Sequence, residues 1–194
     1  MSIPGNSTST TPVVADYLSP DDSVTGPLGD HEQGGKAIGD VSEGLSYQKW
    51  TASYHNSDVI ITPATFGSPV ILFNKPDIIE LGIAFDQLMN PFVAYTIGSV
   101  VWYWWFDPTV PGQVHSQLPA GASSPRCCMD DKRVSQVGVS DIIFAYIRSS
   151  NLYFRQQRDR YTVEYLFAST VVGTLETIGM NKFNRLQFAL VADA

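Results

Sequence analysis

The strongest constraint on the fold is a pair of apolar runs around a short polar turn within residues 140–167. Residues 142–147 are β-branched and aromatic, and residues 152–154 restart the apolar run. Residues 149–151 between them are small and polar, as a tight turn requires. Two such runs around a short turn predict a β-hairpin, and a third run, residues 161–167, could pair beside it.

The same hairpin pattern recurs twice earlier in the chain. Residues 57–61 match residues 140–144 at an offset of 83, through Ser-Asp followed by apolar residues. Residues 91–95 match residues 141–146 at an offset of 51, through the shared Ala-Tyr pair. Repeated hairpins must stack or pair to share a core, because a lone hairpin leaves its apolar face in water. The alternative is that Gly-Ser turns between apolar strands recur in any β-protein.

The remaining apolar segments also have the period of strands. Residues 78–85 follow a turn at residues 74–77, and Leu186, Phe188 and Leu190 alternate near the end of the chain. Aromatic residues are plentiful at 12% and charged residues are few at 16%, which suits β-structure with large contact surfaces. We predict an all-β fold in which repeated β-hairpins form a sandwich or a partial-propeller-like domain.

Residues 1–44 differ in composition from the rest of the chain. They are rich in Ser, Thr, Gly, Pro and Asp and poor in large apolar residues. Such a segment cannot bury enough apolar surface to fold alone, so neighbouring chains would have to supply its contacts. We predict an extended, polar, acidic N-terminal arm over residues 1–44 and a β-rich domain over residues 45–194. The alternative is a tail without fixed structure.

Charge and cysteine usage restrict the partners and the compartment. A net charge of −7 argues against nucleic-acid binding through a broad basic surface. No segment is long and apolar enough to span a bilayer, and the polar N-terminus lacks a secretory signal. The adjacent pair Cys127 and Cys128 would bridge only with strain. We therefore expect synthesis in a reducing cytoplasm and neither a nucleic-acid nor a membrane partner.

The chain contains no pattern that predicts catalysis, a metal or a cofactor. Cys127 or Cys128 could form a thiol–imidazole pair with His115, but no catalytic signature flanks them. A glycoside hydrolase would need two paired carboxylates, and nothing in the sequence selects two from the candidates. These candidates are Asp86, Asp107, Asp141 and Glu164. We predict that the protein is not an enzyme and binds no metal and no cofactor.

An aromatic run, residues 102–105, is the first candidate binding element. In a strand, Trp102 and Trp104 would share one face, while Tyr103 and Trp105 would share the other. Such a strand could provide a subunit interface or a platform for stacking sugars. The alternative is an aromatic core on both faces, because large aromatic residues are mostly buried.

Three arginines, Arg155, Arg158 and Arg160, are the second candidate binding element. If residues 155–161 continue as a strand, their long polar side chains would point to both faces. Guanidinium groups bind carboxylates through two parallel hydrogen bonds. We expect these arginines to receive acidic residues of a neighbouring subunit, from its acidic arm. The alternative is an intrachain ladder of salt bridges with Asp159 and Glu164.

Four segments together resemble a known class of protein. Residues 81–86, 90–95, 140–146 and 152–161 resemble β-rich structural proteins of tailed-bacteriophage virions, from the tail, the tail tip or the head–tail region. The resemblance covers residues 45–194. It implies a non-enzymatic component of a symmetric particle, assembled in the host cytoplasm and incorporated into the virion. Its partners would be other copies of itself, as a homo-oligomer, and other virion proteins.

Three alternatives remain open at this point. The chain could be a receptor- or carbohydrate-binding module of the tail, with Trp102, Trp104 and Trp105 stacking on a host surface glycan. It could be a decoration or cement protein of the capsid. It could also be a tail-associated glycosidase, for which two carboxylates in one cleft would be required.

Overall fold

The computed structural model describes residues 32–38, 47–63, 68–86, 90–110, 114–129, 142–180 and 186–192. Most of them lie in β-strands. The strands are β1 (Glu32–Ile38), β2 (Tyr47–His55), β3 (Asp58–Pro63), β4 (Val70–Asn74), β5 (Ile78–Phe85), β6 (Pro91–Ile97), β7 (Val100–Trp105), β8 (Val114–Gln117), β9 (Ala122–Met129), β10 (Ile142–Arg148), β11 (Asn151–Gln156), β12 (Tyr165–Ala168), β13 (Thr174–Met180) and β14 (Leu186–Val191). Within these ranges no helix has the length and apolar character needed to cross a membrane.

The strands form four sheets in the order in which they occur along the chain. The first sheet contains β1–β4, the second β5–β8, the third β9–β12, and the fourth β13 and β14. Each strand pairs antiparallel with the next strand of its sheet. The predicted all-β fold of repeated hairpins is therefore confirmed.

The sheets stack face to face, with three hydrophobic cores between them. The first core lies between the first and second sheets, the second core between the second and third, and the third core between the third and fourth. Strand β6 serves two cores. Val93 and Tyr95 point to the first core, whereas Phe92 and Ala94 point to the second. A strand covered on both faces is apolar along its length, and this explains its continuous hydrophobic sequence.

The leading strands of the four sheets meet along one line. Strand β1 packs against β5, β5 against β9, and β9 against β13. The sheets therefore radiate from a common axis, as the blades of a propeller do. Of the two arrangements that the sequence allowed, the partial propeller describes this stack.

The segments that match at an offset of 51 form equivalent strands of two sheets. Strands β10 and β11 begin and end 51 residues after β6 and β7, and each pair forms the second and third strands of its sheet. The match at an offset of 83 is wrong as an equivalence, because it aligns β3, a third strand, with β10, a second strand. The match rests on Ser-Asp and a short apolar run, and these letters do not identify the position of a strand within its sheet.

Two-residue turns connect the second and third strands of the first and third sheets. Asn56 and Ser57 have φ angles of 50° and 71°, and Ser149 and Ser150 have 50° and 57°. Positive φ at both central residues is the type I′ geometry, whose twist matches that of the flanking strands. The hairpin predicted around residues 149–151 is confirmed, and β12 pairs beside it.

Strand β1 lies within residues 1–44, which the sequence assigned to the arm. It pairs along its whole length with β2, from Glu32 opposite Ser53 to Ile38 opposite Tyr47. The first sheet therefore includes part of the predicted arm. The rest of that range, residues 1–31 and 39–44, lies outside the described residues.

The fourth sheet begins at a close backbone contact. Gly173, which precedes β13, has a φ of 96°. A Cβ atom at this position would lie 2.1 Å from the carbonyl oxygen of Val191 at the end of β14. Glycine is required here, because any side chain would push the two strands apart.

Candidate functional site

Strand β7 places the aromatic run as the third strand of the second sheet. Trp104 lies in the first core with 2% of its surface exposed, and Trp102 packs against the same core. Tyr103 is buried in the second core, and Trp105 packs against it. The predicted sharing of faces is confirmed, and the aromatic run contributes to cores on both sides of the sheet.

Trp104 is held in a cluster of aromatic rings. The ring of Phe73 lies 5.2 Å from that of Trp104 and packs edge-on to His115 at 4.8 Å. A hydrogen bond of 2.8 Å joins Tyr95 Oη to His115 Nδ1. Burial raises the pKa of Tyr95. Burial also lowers the pKa of His115, and the charge of Lys75 adds to this effect. The assignment of Trp104 to a subunit contact stays a prediction, and its burial favours the alternative of a core residue.

The two half-buried tryptophans each have a cation over the ring. Lys75 Nζ lies 5.1 Å from the centroid of Trp102, and Arg160 Cζ lies 5.2 Å from that of Trp105. Tyr161 packs edge-on to Trp105 at 5.4 Å. Cation–π contacts of this kind stabilise both groups. A sugar that stacked on either ring at the same face would have to displace the cation.

The arginine segment turns instead of continuing as a strand. Strand β11 ends at Gln156, and a single turn of 3-10 helix follows over Gln157–Asp159. The amide of Arg160 donates to Gln157 O at 2.7 Å, and Arg160 has a φ of 51°. The expectation of an extended strand is therefore wrong beyond residue 156. Tyr161 explains the turn, because its fully buried ring brings the chain back into the second core.

Arg155 takes part in an intrachain cluster. Its Nε donates to Tyr146 Oη at 3.1 Å and its Nη1 donates to the Tyr161 carbonyl at 2.9 Å. Its Nη2 lies 3.6 Å from the carboxylate of Glu164. Glu164 also accepts hydrogen bonds from Arg148 and from the hydroxyl of Tyr146. For Arg155, these contacts favour the alternative of an intrachain salt bridge with Glu164.

Arg160 pairs with Asp107 at the end of the second sheet. Its Nη2 donates to Asp107 Oδ2 at 2.6 Å. Thr109 donates two further hydrogen bonds to the same carboxylate, from its amide at 2.9 Å and its hydroxyl at 2.6 Å. These hydrogen bonds and the charge of Arg160 lower the pKa of Asp107. The partner of Arg160 is therefore not Asp159, whose carboxylate accepts a hydrogen bond from Tyr165.

Exposed cationic and apolar side chains occur together around this ion pair. Asp107 is almost fully buried, whereas 57% of the Arg160 side chain is exposed. Arg158 and Phe106 are exposed as well. We call Phe106, Asp107, Arg158 and Arg160 the arginine corner. Arginine next to exposed aromatic surface is the composition typical of protein–protein contacts.

The outer edges of the sheets form a second candidate surface. Among the described strands, β4, β12 and β14 each end a sheet and contain no charged residue and no proline. Ile71 on β4 is 60% exposed and Leu166 on β12 is 59% exposed. Proteins that remain monomeric usually protect such edges with charge, proline or a bulge. Strands β4 and β12 have neither charge nor proline, although each shifts its register by one residue against its neighbour, at Leu72 and Phe167. These edges were not predicted from the sequence, although residues 70–74, 165–168 and 186–191 contain no charge.

An ion pair between the leading strands of two sheets was also not predicted from the sequence. Arg126 on β9 is 2% exposed, and its Nη1 lies 2.6 Å from Glu80 Oε1 on β5. Its Nε donates to the carbonyl of Glu176 on β13 at 2.6 Å. One guanidinium therefore links the leading strands of the second, third and fourth sheets. A lone arginine in an otherwise uncharged strand was the available signal.

The thiol and imidazole considered for catalysis are not brought together. Cys127 belongs to the second core, whereas His115 contacts Phe73 and Tyr95 of the first core. The two cores lie on opposite faces of the second sheet. Burial raises the pKa of Cys127 to about 12, which disfavours the thiolate.

Three of the four candidate carboxylates have partners within the described residues. Asp86 accepts hydrogen bonds from Asn90 and Gln157. Asp107 and Glu164 each form an ion pair with an arginine. Asp141 lies outside the described residues. Within the part of the chain that the structure describes, no group of three or more His, Cys, Asp or Glu residues could hold a metal ion.

Comparison of the chain with family models, with curated proteins and with solved structures finds no match. The arginine corner and the sheet edges are therefore the candidate functional surfaces. Both have the composition of surfaces that bind protein.

Proposed function

We propose that the chain is a non-enzymatic structural component of a bacteriophage virion, in the tail or the tail-attachment region, that acts by assembly. Its partners are other copies of itself and other virion proteins. The resemblance of residues 45–194 to such proteins suggests the particle. The composition of the sheet edges supports the mode of action.

The uncharged outer strands carry the proposal. A strand at the edge of a sheet offers unpaired N–H and C=O groups to any extended chain that reaches it. Strands β4, β12 and β14 have this edge position, carry apolar side chains and contain no charged residue. Pairing with a second chain would satisfy the backbone groups and remove Ile71 and Leu166 from water.

The arginine corner would add specificity to such contacts. The pair with Asp107 holds Arg160 in place while more than half of its side chain stays exposed. A guanidinium that is already oriented loses less entropy when it binds a second carboxylate. The preferred partner surface is therefore acidic, and the prediction that Arg158 and Arg160 receive acidic residues of a neighbour forms part of this proposal.

The test is the mass of the purified full chain as a function of concentration, by light scattering after gel filtration. Ile71→Lys combined with Leu166→Lys should strongly weaken association, because two of the three uncharged edges become charged. Ile79→Lys is the matched control, since Ile79 is 56% exposed but lies on β5, at the axis rather than at an outer edge. Arg158→Glu combined with Arg160→Glu should weaken association in the same assay. A chain that stays monomeric at every concentration would contradict the proposal.

A receptor- or glycan-binding module is the second candidate, because Trp102 and Trp105 are only half-buried. Glycan-array binding that disappears in Trp105→Ala and persists in Trp104→Phe would favour it. A decoration or cement protein of the capsid would use the same sheet edges. Electron microscopy of particles that carry a labelled chain would distinguish this role from one in the tail.

A further inference from the structure

The fourth sheet has fewer described strands than the other three sheets. In the part of the chain that the structure describes, the first three sheets have four strands each, and the fourth has two. The second strands β6 and β10 are paired on both sides, whereas their counterpart β14 pairs with β13 alone among the described residues. Within the described ranges, one edge of β14 therefore has no paired strand at the position where a third strand lies in every other sheet.

The open strand suits the addition of another strand. Leu186, Phe188 and Leu190 pack on the third core, so β14 is fixed in place by its side chains. Its six residues include no charge and no proline. An added strand would pair with its free backbone groups and extend the apolar layer over the third core.

The chain before β1 has the length and the composition to supply this strand. Residues 1–31 precede the first described residue. Among them, residues 13–18 (Val-Val-Ala-Asp-Tyr-Leu) form the one six-residue run rich in β-branched, aromatic and aliphatic side chains, and they equal β14 in length. Pro12 before this run is compatible with the start of an edge strand. Residues 19–31 would span about 40 Å when extended.

The order of the sheets indicates which copy receives the strand. The segment joins the body at β1 in the first sheet, which packs on the second sheet. The open strand belongs to the fourth sheet, which packs on the third. Donor and acceptor therefore lie in the two terminal sheets of the stack. A segment passed from the first sheet of one copy to the fourth sheet of the next makes a head-to-tail contact, which closes into a ring or extends as a filament.

We propose that residues 13–18 of a neighbouring copy add as a strand to the open edge of β14. This inference rests on the proposed function and specifies one of its contacts. It assigns the N-terminal segment as the donor, the fourth sheet as the acceptor, and a second copy of this chain as the partner.

Disulfide trapping between two differently tagged full-length chains tests this contact. One chain carries Val13→Cys, Ala15→Cys or Tyr17→Cys, in three separate variants, and the other carries Gln187→Cys in β14. We expect a reducible product that contains both tags for at least one of the three. Ser7→Cys is the matched control and should give no such product. The native Cys127 and Cys128 are buried, so they do not compete.

Deletion of residues 1–31 is the second test, because it leaves every described strand intact. The deleted chain should associate more weakly than the full chain, as measured by light scattering. If it associates unchanged, this inference fails while the proposed assembly function stands. If the full chain never associates, both fail. Cross-linking of Gln187→Cys chains to each other would overturn the inference in favour of pairing between two β14 strands. A disulfide formed within one chain that carries both cysteines would overturn the choice of a neighbour.

Discussion

The second and fourth sheets are built from the same kind of strand but differ in what covers them. The second sheet has four strands and contributes to a core on each face. The fourth has two described strands and contributes to the third core, and no described strand pairs with the second edge of β14. Local stability follows buried apolar contact and protected backbone hydrogen bonds. We therefore expect the second sheet to open only with the whole body, and the fourth to open more readily by itself.

The largest effect should come from truncation in the second sheet. Phe92 is fully buried and lies within 6 Å of the rings of Tyr103 at 5.9 Å, Phe144 at 5.3 Å and Tyr161 at 4.7 Å. Phe92→Ala should lower the free energy of unfolding by about 3–5 kcal/mol, because it leaves a cavity between two sheets. Urea denaturation followed by circular dichroism measures this change. A loss below about 1 kcal/mol would contradict the assignment of the second core.

Removal of Arg126 should have the next largest effect and should act on both regions. Arg126→Ala leaves Glu80 without its guanidinium and the Glu176 carbonyl without its donor. Loss of one partner of a buried ion pair costs about 3 kcal/mol. Hydrogen exchange should show the greatest loss of protection in β13 and β14, since Arg126 links the fourth sheet to the axis. Glu80→Gln is the control, because it keeps an oxygen acceptor for Arg126 and leaves the hydrogen bond from Arg126 to the Glu176 carbonyl in place. Equal loss of protection in all sheets would show that Arg126 does not hold the fourth sheet specifically.

Truncation in the fourth sheet should cost less than truncation in the second. Phe188 is half-buried and packs edge-on to Phe167 at 4.8 Å. Phe188→Ala should lower the free energy of unfolding by about 1–2 kcal/mol, because less apolar surface is lost from the core. It should also speed amide exchange in β14 more than in β6. If Phe188→Ala costs as much as Phe92→Ala, the contrast between the two sheets is wrong.

Local features of the sheets could be predicted from the sequence, whereas features that depend on distant contacts could not. The offset of 51 was visible because turn chemistry and strand period are local properties of the chain. The sharing of faces in residues 102–105 followed from the same period. The turn after Gln156 was missed, because it depends on the burial of Tyr161 in a core shared with the second sheet. The pair of Arg126 with Glu80 joins residues that lie 46 positions apart, and no local pattern identifies such a partner.

The pH dependence of stability should distinguish the two regions further. Burial lowers the pKa of His115 from its ordinary value of 6.5, with a smaller contribution from the charge of Lys75. The unfolded chain therefore binds a proton more readily than the folded one. The contribution of neutral His115 to the free energy of unfolding is fully present above pH 6.5. It is lost as the pH falls through the lower pKa of the folded state. His115→Asn keeps a hydrogen-bonding group near Tyr95 and should flatten the decline between about pH 7 and pH 5.

The measurement is urea denaturation of the wild-type chain and of His115→Asn at several pH values. Exchange of β14 amides, corrected for the intrinsic effect of pH, should change little over the same range, because β13 and β14 contain no histidine. An unchanged slope in His115→Asn would show that other groups cause the decline.

The smallest effect should come from the turn of the third sheet, and it is a gain. Ser149 and Ser150 have φ angles of 50° and 57°, a conformation that Asn-Gly adopts more easily than Ser-Ser. Ser149→Asn combined with Ser150→Gly should raise the free energy of unfolding by about 0.5–1 kcal/mol. Ser169→Gly is the control, because Ser169 does not have a positive φ and gains no relief. If the fourth sheet opens by itself, protection should rise in β10 and β11 and stay unchanged in β14. An equal rise in β14 would mean that the fourth sheet opens only when the whole body unfolds.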